Sequence, residues 1–443
     1  MITLRQLLCI SVAVILIGIK PSYSDTLMDA LNLAYSGNPS LQASRAQLRS
    51  VEKSISLAWS GALPQVSASG SYNKSRSETK IESAITSGAV FAGGINKQTS
   101  RNTSLSFSQP LFKGFRTWSG ISAARATVEA QRAFLKLSEQ QVLLSAATAY
   151  LDVLRDTAVV ELRQNNVQVL TRQLEATQDR FSVGEITRTD VAQAEARLSA
   201  SKSARILAEG NLKTSIAGYR NIMGKSPENL SSPSMLTGMP ISAEESVSLA
   251  SENNPLVVAA IFNAKAAEKN VASIRGELLP TVSLDGQLSK AWDTISDNSL
   301  SETKSARVTF SLPLYQGGTR FTRLSQSKHT LTQRRLETDQ ARLDAQKNAT
   351  SSWEYFQSAS ASIEAIRTQI LASEIALEGV QREAEVGART VLDVLDAEQE
   401  LLDARVGLVG AERDQLVASL QVLSSVGNLT GENLKLGTFK NDK

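Results

Sequence analysis

The residue types that carry most enzyme chemistry are almost missing from this chain. Its 443 residues hold a single histidine, His329, and a single cysteine, Cys9. A histidine-rich zinc site is excluded, and a Ser-His-Asp triad could be built only around His329, which has no ligand-type neighbours at helical spacing. No nucleophile elbow, paired-acid motif or metal motif appears, no cofactor is implied, and the chain is not expected to be an enzyme. What stands out is a carboxylate pair, Asp393 and Asp396, spaced i, i+3 on one helix face just after a Val-Gly turn. Such a pair can bind a cation, or it can sit on a solvated helix start, where the dipole favours negative charge.

The elements that hold these residues must be long. Ten Pro and 25 Gly leave few places to break the chain, while 42% hydrophobic and 21% charged residues make an ordinary composition that excludes a disordered tail protein. The 47 Lys and Arg are matched by 44 Asp and Glu along nearly every stretch, which argues against a nucleic-acid partner. Residues 1–24 read as a cleaved signal peptide: Arg5, an apolar run from Leu7 to Ile19, then Ser22-Tyr23-Ser24. The run is too short to span a membrane, which takes roughly 20 residues. Cys9 lies in its middle, so a lipid-anchored start is not expected. Without Arg5 and Lys20 the remaining chain has 45 Lys and Arg against 44 Asp and Glu and no cysteine.

Comparing the chain with itself reveals a duplication. Asn38-Pro39, Glu52-Lys53 and Leu63-Pro64 recur 216 residues later as Asn254-Pro255, Glu268-Lys269 and Leu279-Pro280. Phe107-Ser108, Pro110-Leu111, Gly114, Val183-Gly184 and Asp190 recur 203 residues later as Phe310-Ser311, Pro313-Leu314, Gly317, Val386-Gly387 and Asp393. The 13 extra residues of the first half fall in a Gly/Ser-rich stretch between about Asn73 and Arg101, read as a longer loop. The two halves span residues 25–225 and 226–443.

Each half has the same order of elements. A helix opened by Asn-Pro is followed by two stretches of period-2 alternation, about 64–112 and about 280–315. Val66, Ala68, Gly70 and Tyr72 alternate with Ser67, Ser69, Ser71 and Asn73; Val282, Leu284, Gly286 and Leu288 alternate with Ser283, Asp285, Gln287 and Ser289. The apolar face either packs on a soluble core or faces lipid around a watery lumen, and four strands alone cannot close a barrel. Long helical hairpins follow, about 115–225 and about 318–426. Their rods run about 65 residues, roughly 100 Å at 1.5 Å per residue. Ala146, Val153, Val160, Val167, Leu174 and Phe181 mark a strict seven-residue seam, the coiled-coil spacing, repeated by Ala349, Phe356, Ile363, Ile370, Leu377 and Ala384. Val183-Gly184 and Val386-Gly387 end the rods.

In their joint order these features resemble the TolC family of outer-membrane channel proteins. Val386-Gly387-Ala388-Arg389-Thr390-Val391-Leu392-Asp393-Val394-Leu395-Asp396-Ala397 follows that family's second helical turn, and Val183-Gly184-Glu185-Ile186-Thr187-Arg188-Thr189-Asp190-Val191 its first. The resemblance covers about 25–430. It implies a mixed α/β membrane protein: a homotrimer whose four strands per chain close a 12-stranded transmembrane β-barrel, continued by an α-helical coiled-coil barrel across the periplasm, with an equatorial belt from about Ala208 to Ala250 and after Gly427. It also implies an exit duct for drug efflux or type I secretion, working with a periplasmic adaptor and an inner-membrane ABC, RND or MFS-type transporter.

By the same resemblance Asp393 and Asp396 form the periplasmic gate and selectivity ring, a site of divalent cation block. Arg389 holds the gate through Thr189 and Asp190, although it could equally be a solvated charge. A family tyrosine five residues before that arginine is Ala384 here, so the clasp it makes is not carried over. Val183, Gly184, Glu185, Val386, Gly387 and Ala388 form the adaptor-docking tips, or simply terminate helices. Phe112, Phe115, Trp118, Tyr315 and Phe321 suit either a membrane-interface girdle or junction packing, with Tyr72 and Trp292 at the opposite girdle. An exported trimeric coiled-coil adhesin or stalk would explain the heptads but not the duplicated strands, and a secreted hydrolase lacks its polar constellation.

Overall fold

The computed structural model describes residues 25–79, 94–294 and 298–437. Residues 1–24, where a signal peptide is expected, and the middle of the Gly/Ser-rich stretch lie outside the described residues. The first half runs α1 (Leu27–Gly37), α2 (Pro39–Ser60), β1 (Gln65–Glu78), β2 (Ile95–Lys113), α3 (Arg116–Ser182) and α4 (Arg188–Met223). The second runs α5 (Ala243–Asn253), α6 (Pro255–Arg275), β3 (Thr281–Trp292), β4 (Leu300–Ser311), α7 (Thr319–Glu385) and α8 (Val391–Ser425). The two sequence offsets carry each element onto its counterpart, down to the strand register: Gln65 pairs Ser108 as Thr281 pairs Ser311.

Local chemistry sets the boundaries. Asn38 accepts from the Ser40 and Leu41 amides with Pro39 in the first turn, and Asn254 accepts from the Leu256 amide before Pro255. The rods α3 and α7 contain 67 residues each, about 100 Å. No helix among the described residues is long and apolar enough to cross a membrane.

The four strands form one antiparallel sheet, β1-β2-β3-β4, with β1 and β4 as open edges. A bulge between Pro110 and Phe112 shifts the β2–β3 register, where a proline could not donate to a regular ladder. Val66, Tyr72, Val308 and Phe310 are 64 to 68% exposed, so no layer covers the apolar face, which removes the reading of a sheet packed on a soluble core. On the other face Ser67 and Ser69 hydrogen-bond Ser106 and Ser104, while Ser108, Ser283 and Thr309 donate to Asp285. The expected long loop is corrected in part: Asn73–Glu78 and Ile95–Arg101 are paired strand, because the alternation of Lys74 and Arg76 with Ser75 and Ser77 continues the period of two.

Packing is concentrated at mid-height and at the tip. The larger core joins Leu27, Leu31 and Ala34 of α1, Leu143, Ala146 and Tyr150 of α3, Tyr219 of α4, Leu420 and Leu423 of α8, and Leu429 and Leu436 beyond it. Ala208–Met223, expected in the belt, continues α4 without a break. Near the tip Val167 and Leu170 of α3, Ala194 and Leu198 of α4, and Val391 and Leu395 of α8 pack together. Each buried leucine there contributes about 2 kcal/mol. The heptad seam follows the packing: Ala146, Val153 and Val167 are buried, Leu174 is half-buried, and Phe181 at the rod's end is exposed.

Candidate functional site: the tips of the helical hairpins

Both hairpins reverse through the same device. Gly184 and Gly387 have φ of 81° and 79°, a left-handed conformation that a side chain disfavours. The amides of Gly184 and Glu185 donate to the Phe181 and Arg180 carbonyls; those of Gly387 and Ala388 donate to Ala384 and Glu383, a Schellman closure in each case. Val183 and Val386 stand 71% and 81% exposed at the turning points. Glu185 and Ala388 are exposed beside them.

The returning helices open with matched capping boxes. The Thr187 amide and hydroxyl donate to Asp190 Oδ2 at 2.9 and 2.8 Å, and the Asp190 amide donates back to Thr187 Oγ1. Thr390 and Asp393 repeat this with 2.9, 2.8 and 3.2 Å. The Thr187 hydroxyl, then the Thr187 amide, hold the Asp190 carboxyl below the usual range, and the Thr390 amide, then its hydroxyl, do so for Asp393. Both stay ionised and cap their helices, so the dipole role anticipated for Asp393 is filled. Thr189 is exposed in the first turn of α4.

Each turn also carries a local ion pair, with the signs exchanged between halves. Arg180 meets Glu185 at 3.1 Å, whereas Glu383 meets Arg389 at 2.8 Å. The hydrogen bond and charge of Glu383, with Asp393 nearby, hold the Arg389 guanidinium above its ordinary range. Within the chain the partner of Arg389 is therefore Glu383, while Asp190 is engaged in its cap.

Asp393 and Asp396 share an open groove between α7 and α8 with Arg389, Glu400 and Asp403. The spacing 393, 396, 400, 403 keeps four carboxylates on one face of α8. Sequence reasoning stopped at the first two, although the i+7 continuation was available. It also missed what binds this face to the other hairpin. Arg197 of α4 pairs with Asp396, Arg163 of α3 lies 3.6 Å from Asp403, and Arg413 of α8 meets Asp152 of α3 at 2.9 Å. Beneath them Asn166 accepts from Ser201 at 2.6 Å. Glu398, 8% exposed, has an Oε2 without a partner among the described residues, and burial raises its carboxyl above the usual range.

At the junction near the sheet the aromatic side chains stand at the surface, with Phe115, Trp118, Tyr315 and Phe321 61 to 84% exposed. Phe112 meets Phe115 edge-on at 5.3 Å, and Trp118 meets Trp59 at 5.4 Å. An added Cβ on Gly114 would lie 2.2 Å from the Gly276 carbonyl oxygen, so the approach of the two chain segments requires glycine.

The groove gathers carboxylates, but among the described residues no group of three or more His, Cys, Asp or Glu is placed to hold a metal ion, and comparison with known proteins points to a conduit. The family model described as outer membrane efflux protein matches residues 30–225 and 246–428. Outer membrane efflux protein BepC of Brucella suis is 36% identical over 419 residues, covering 94% of this chain and 88% of that protein. Outer membrane protein TolC of Escherichia coli is 25% identical over 97% of this chain and 88% of its own length. The crystal structure of the Campylobacter jejuni CmeC outer membrane channel superposes with a TM-score of 0.78, covering 91% of this chain and 86% of that one at 15% identity, a likeness of fold. None of these similarities favours an adhesin or stalk. The chain belongs to the outer membrane efflux protein family, whose TolC-like members are outer-membrane exit channels of efflux and type I secretion systems, not enzymes.

Proposed function

We propose that three copies of this chain assemble into one duct, with residues 1–24 removed on export. The observation that carries this reading is a sheet bare on both faces, with open edges β1 and β4, at one end of 100 Å rods. Unpaired strand edges are not tolerated in lipid, and lateral closure between copies removes them. The helices leave the same vacancy. α6 packs between α3 and α7, but its counterpart α2 packs on α3 without a comparable second partner, and Leu57 of α2 and Leu336, Leu371 and Ile375 of α7 stand 60 to 74% exposed. A neighbouring α7 against α2 would repeat the internal packing around a ring. A heat-modifiable trimer in detergent extracts of outer membrane tests this; a monomer that keeps its mobility after heating refutes it.

The tips are the gate and docking surface in this reading. Asp393 and Asp396 of three chains ring the periplasmic entrance, and the entrance widens as the α7–α8 hairpins swing outward. In this reading Arg389 opposes that motion through a contact to the Thr189 and Asp190 region. Arg389→Ser should then raise conductance, and Asp393→Ala/Asp396→Ala should abolish sensitivity to divalent cations. Val183, Gly184, Glu185, Val386, Gly387 and Ala388 present exposed backbone and small apolar groups to an adaptor. Glu185→Cys or Ala388→Cys should crosslink to that adaptor, since the exported chain has no other thiol, and its co-purified transporter would identify the ABC, RND or MFS-type partner.

A further inference from the structure

The strand register sorts the charges of the sheet by face. Tyr72, Arg101, Trp292 and Leu300 are successive partners across the four strands. Farther from the rods on the same face lie Lys74 opposite Thr99 and Arg76 opposite Lys97. One rung nearer the rods is Gly70-Thr103-Lys290-Glu302, and the next is Ala68-Leu105-Leu288-Lys304. Six cations therefore share the apolar face at its far end, Lys74, Arg76, Lys97, Arg101, Lys290 and Lys304, against two carboxylates, Glu78 and Glu302. Over the same rungs the opposite face carries only residues such as Ser71, Asn73, Gln98, Gln287 and Thr303, with no charge.

This asymmetry is the reverse of what a water-filled lumen and a purely hydrocarbon exterior would select. Charges belong on the wetted face unless their own face meets a counter-charge. Arg101 is paired with Asp293 at 3.1 Å and Lys290 with Glu302 at 2.6 Å, but Lys74, Arg76, Lys97 and Lys304 have no ion-pair partner among the described residues. All four are exposed.

Their height is equally specific. Ten residues of β3 separate Val282 from Trp292, about 34 Å along the strand. At the usual barrel tilt this projects to about 25 Å, the height of the apolar band of an outer-membrane barrel. The Tyr72–Trp292 row then sits at the outer interface. Lys74, Arg76 and Lys97 stand just beyond it, and Lys290 and Lys304 lie just within it, close enough to extend their ammonium groups outward.

We propose that these side chains form a basic collar that binds the phosphorylated headgroups of outer-leaflet lipids. The inference rests on the reading that the apolar face meets lipid. Charge complementarity selects an anion, and the start of the collar inside the apolar band selects a lipid rather than a soluble acidic protein, which could not reach Lys304 below the aromatic row.

The test uses full-length protein purified in neutral detergent, with bis-phosphorylated lipid A, the same lipid enzymatically dephosphorylated, and inorganic pyrophosphate as probes. The expected result is at least about tenfold tighter retention of the phosphorylated lipid, weakening steeply as salt is raised. Each Lys or Arg near an anionic surface contributes roughly fivefold, so Lys74→Ser/Arg76→Ser/Lys97→Ser should lower retention roughly a hundredfold. The salt dependence of the unaltered protein keeps the test valid if the variant fails to assemble. Equal binding of the two lipids overturns the collar alone. Retention of neither lipid overturns the lipid-facing reading as well, and pyrophosphate binding as tightly as lipid A reassigns the site to a free anion and overturns the lipid proposal.

Discussion

Removing the Arg197 side chain should loosen the gate and strengthen cation block together. Arg197 is the arm of α4 that holds Asp396 of α8, and the two side chains are 40% and 56% exposed. A pair that open to solvent is worth about 0.2–1 kcal/mol. In the proposed trimer three independent copies give about 0.6–3 kcal/mol. If the pair forms only in the closed state, Arg197→Ala shifts the closed-to-open ratio by about 3- to 150-fold. The same change frees a carboxylate that lines the groove with Asp393, Glu400 and Asp403, so divalent cations should bind the entrance more tightly. Asp396→Asn should open the channel to a similar extent but weaken the block. Single-channel recording in planar bilayers, with a divalent cation added on the periplasmic side, separates the two effects. Arg197→Ala/Asp396→Ala should open no more readily than Asp396→Ala, since the second change removes nothing further. An unchanged open fraction in Arg197→Ala, or a block that weakens, would refute the clasp.

Three further outcomes follow from the packing. Glu398→Met should stabilise the tip by about 1–3 kcal/mol at neutral pH, because Glu398 buries a carboxylate oxygen without a partner. Its folded-state carboxyl is raised above 4.5, so the native contribution is most favourable below that pH and is lost as pH rises; the gain in Tm should shrink on acidification. Thr390→Ala should cost about 1 kcal/mol in hydrogen-exchange protection of the start of α8. Asp393 is lowered below 3.8 by the same cap, so its contribution is intact above that pH and disappears as pH falls through the folded value, where variant and parent should converge. Tyr219→Phe should be neutral or stabilising, whereas Tyr150→Phe should cost about 1–2 kcal/mol: Tyr219 has a buried hydroxyl with no partner, while Tyr150 donates to the Ser231 carbonyl at 2.6 Å. Burial pushes the Tyr219 phenol up to about 12, so ultraviolet titration should show it ionising late, and the fold should lose stability as pH rises from 10 towards 12.

Those residues that repeat were the ones the sequence made legible. Rod lengths followed from the scarcity of Pro and Gly, the turns from Val183-Gly184 and Val386-Gly387, and the strands from alternation that both halves share. α1 was overlooked although Leu27, Ala30, Leu31 and Ala34 are spaced as one helical face and are all buried. Its 11 residues are too short for the apolar face to repeat more than once. The insertion reads as a loop throughout because Gly88, Gly93 and Gly94 interrupt its middle, while the strand pattern of Lys74, Arg76 and Lys97 continues on either side. Arg163, Arg197 and Arg413 were illegible for a different reason. Each meets a carboxylate more than 190 positions away in sequence, and no local period marks such a partner.

The clasp also explains what the divergence of the two halves accomplishes. Under the offset of 203, the counterpart of Arg197 is Glu400 and that of Asp396 is Gln193; the counterparts of Arg163 and Asp403 are Ile366 and Ala200. A chain with two identical halves could not make either contact, since each needs a cation on one hairpin and an anion at a different level of the other. Backbone geometry is thus common to the halves: matching rods, Schellman turns and capping boxes. The charges are not common: near the tip Arg163 and Arg197 of the first hairpin face Asp403 and Asp396 of α8, while higher up Arg413 of α8 faces Asp152 of α3. That polarity distinguishes the hairpins physically, giving α8 a carboxylate-lined groove and the first hairpin the arginines that restrain it. The same logic reaches the tips, where Arg180–Glu185 and Glu383–Arg389 exchange signs. Duplication supplies two hairpins of one geometry; charge substitution gives α8 its acidic groove and the first hairpin two arginines that face it.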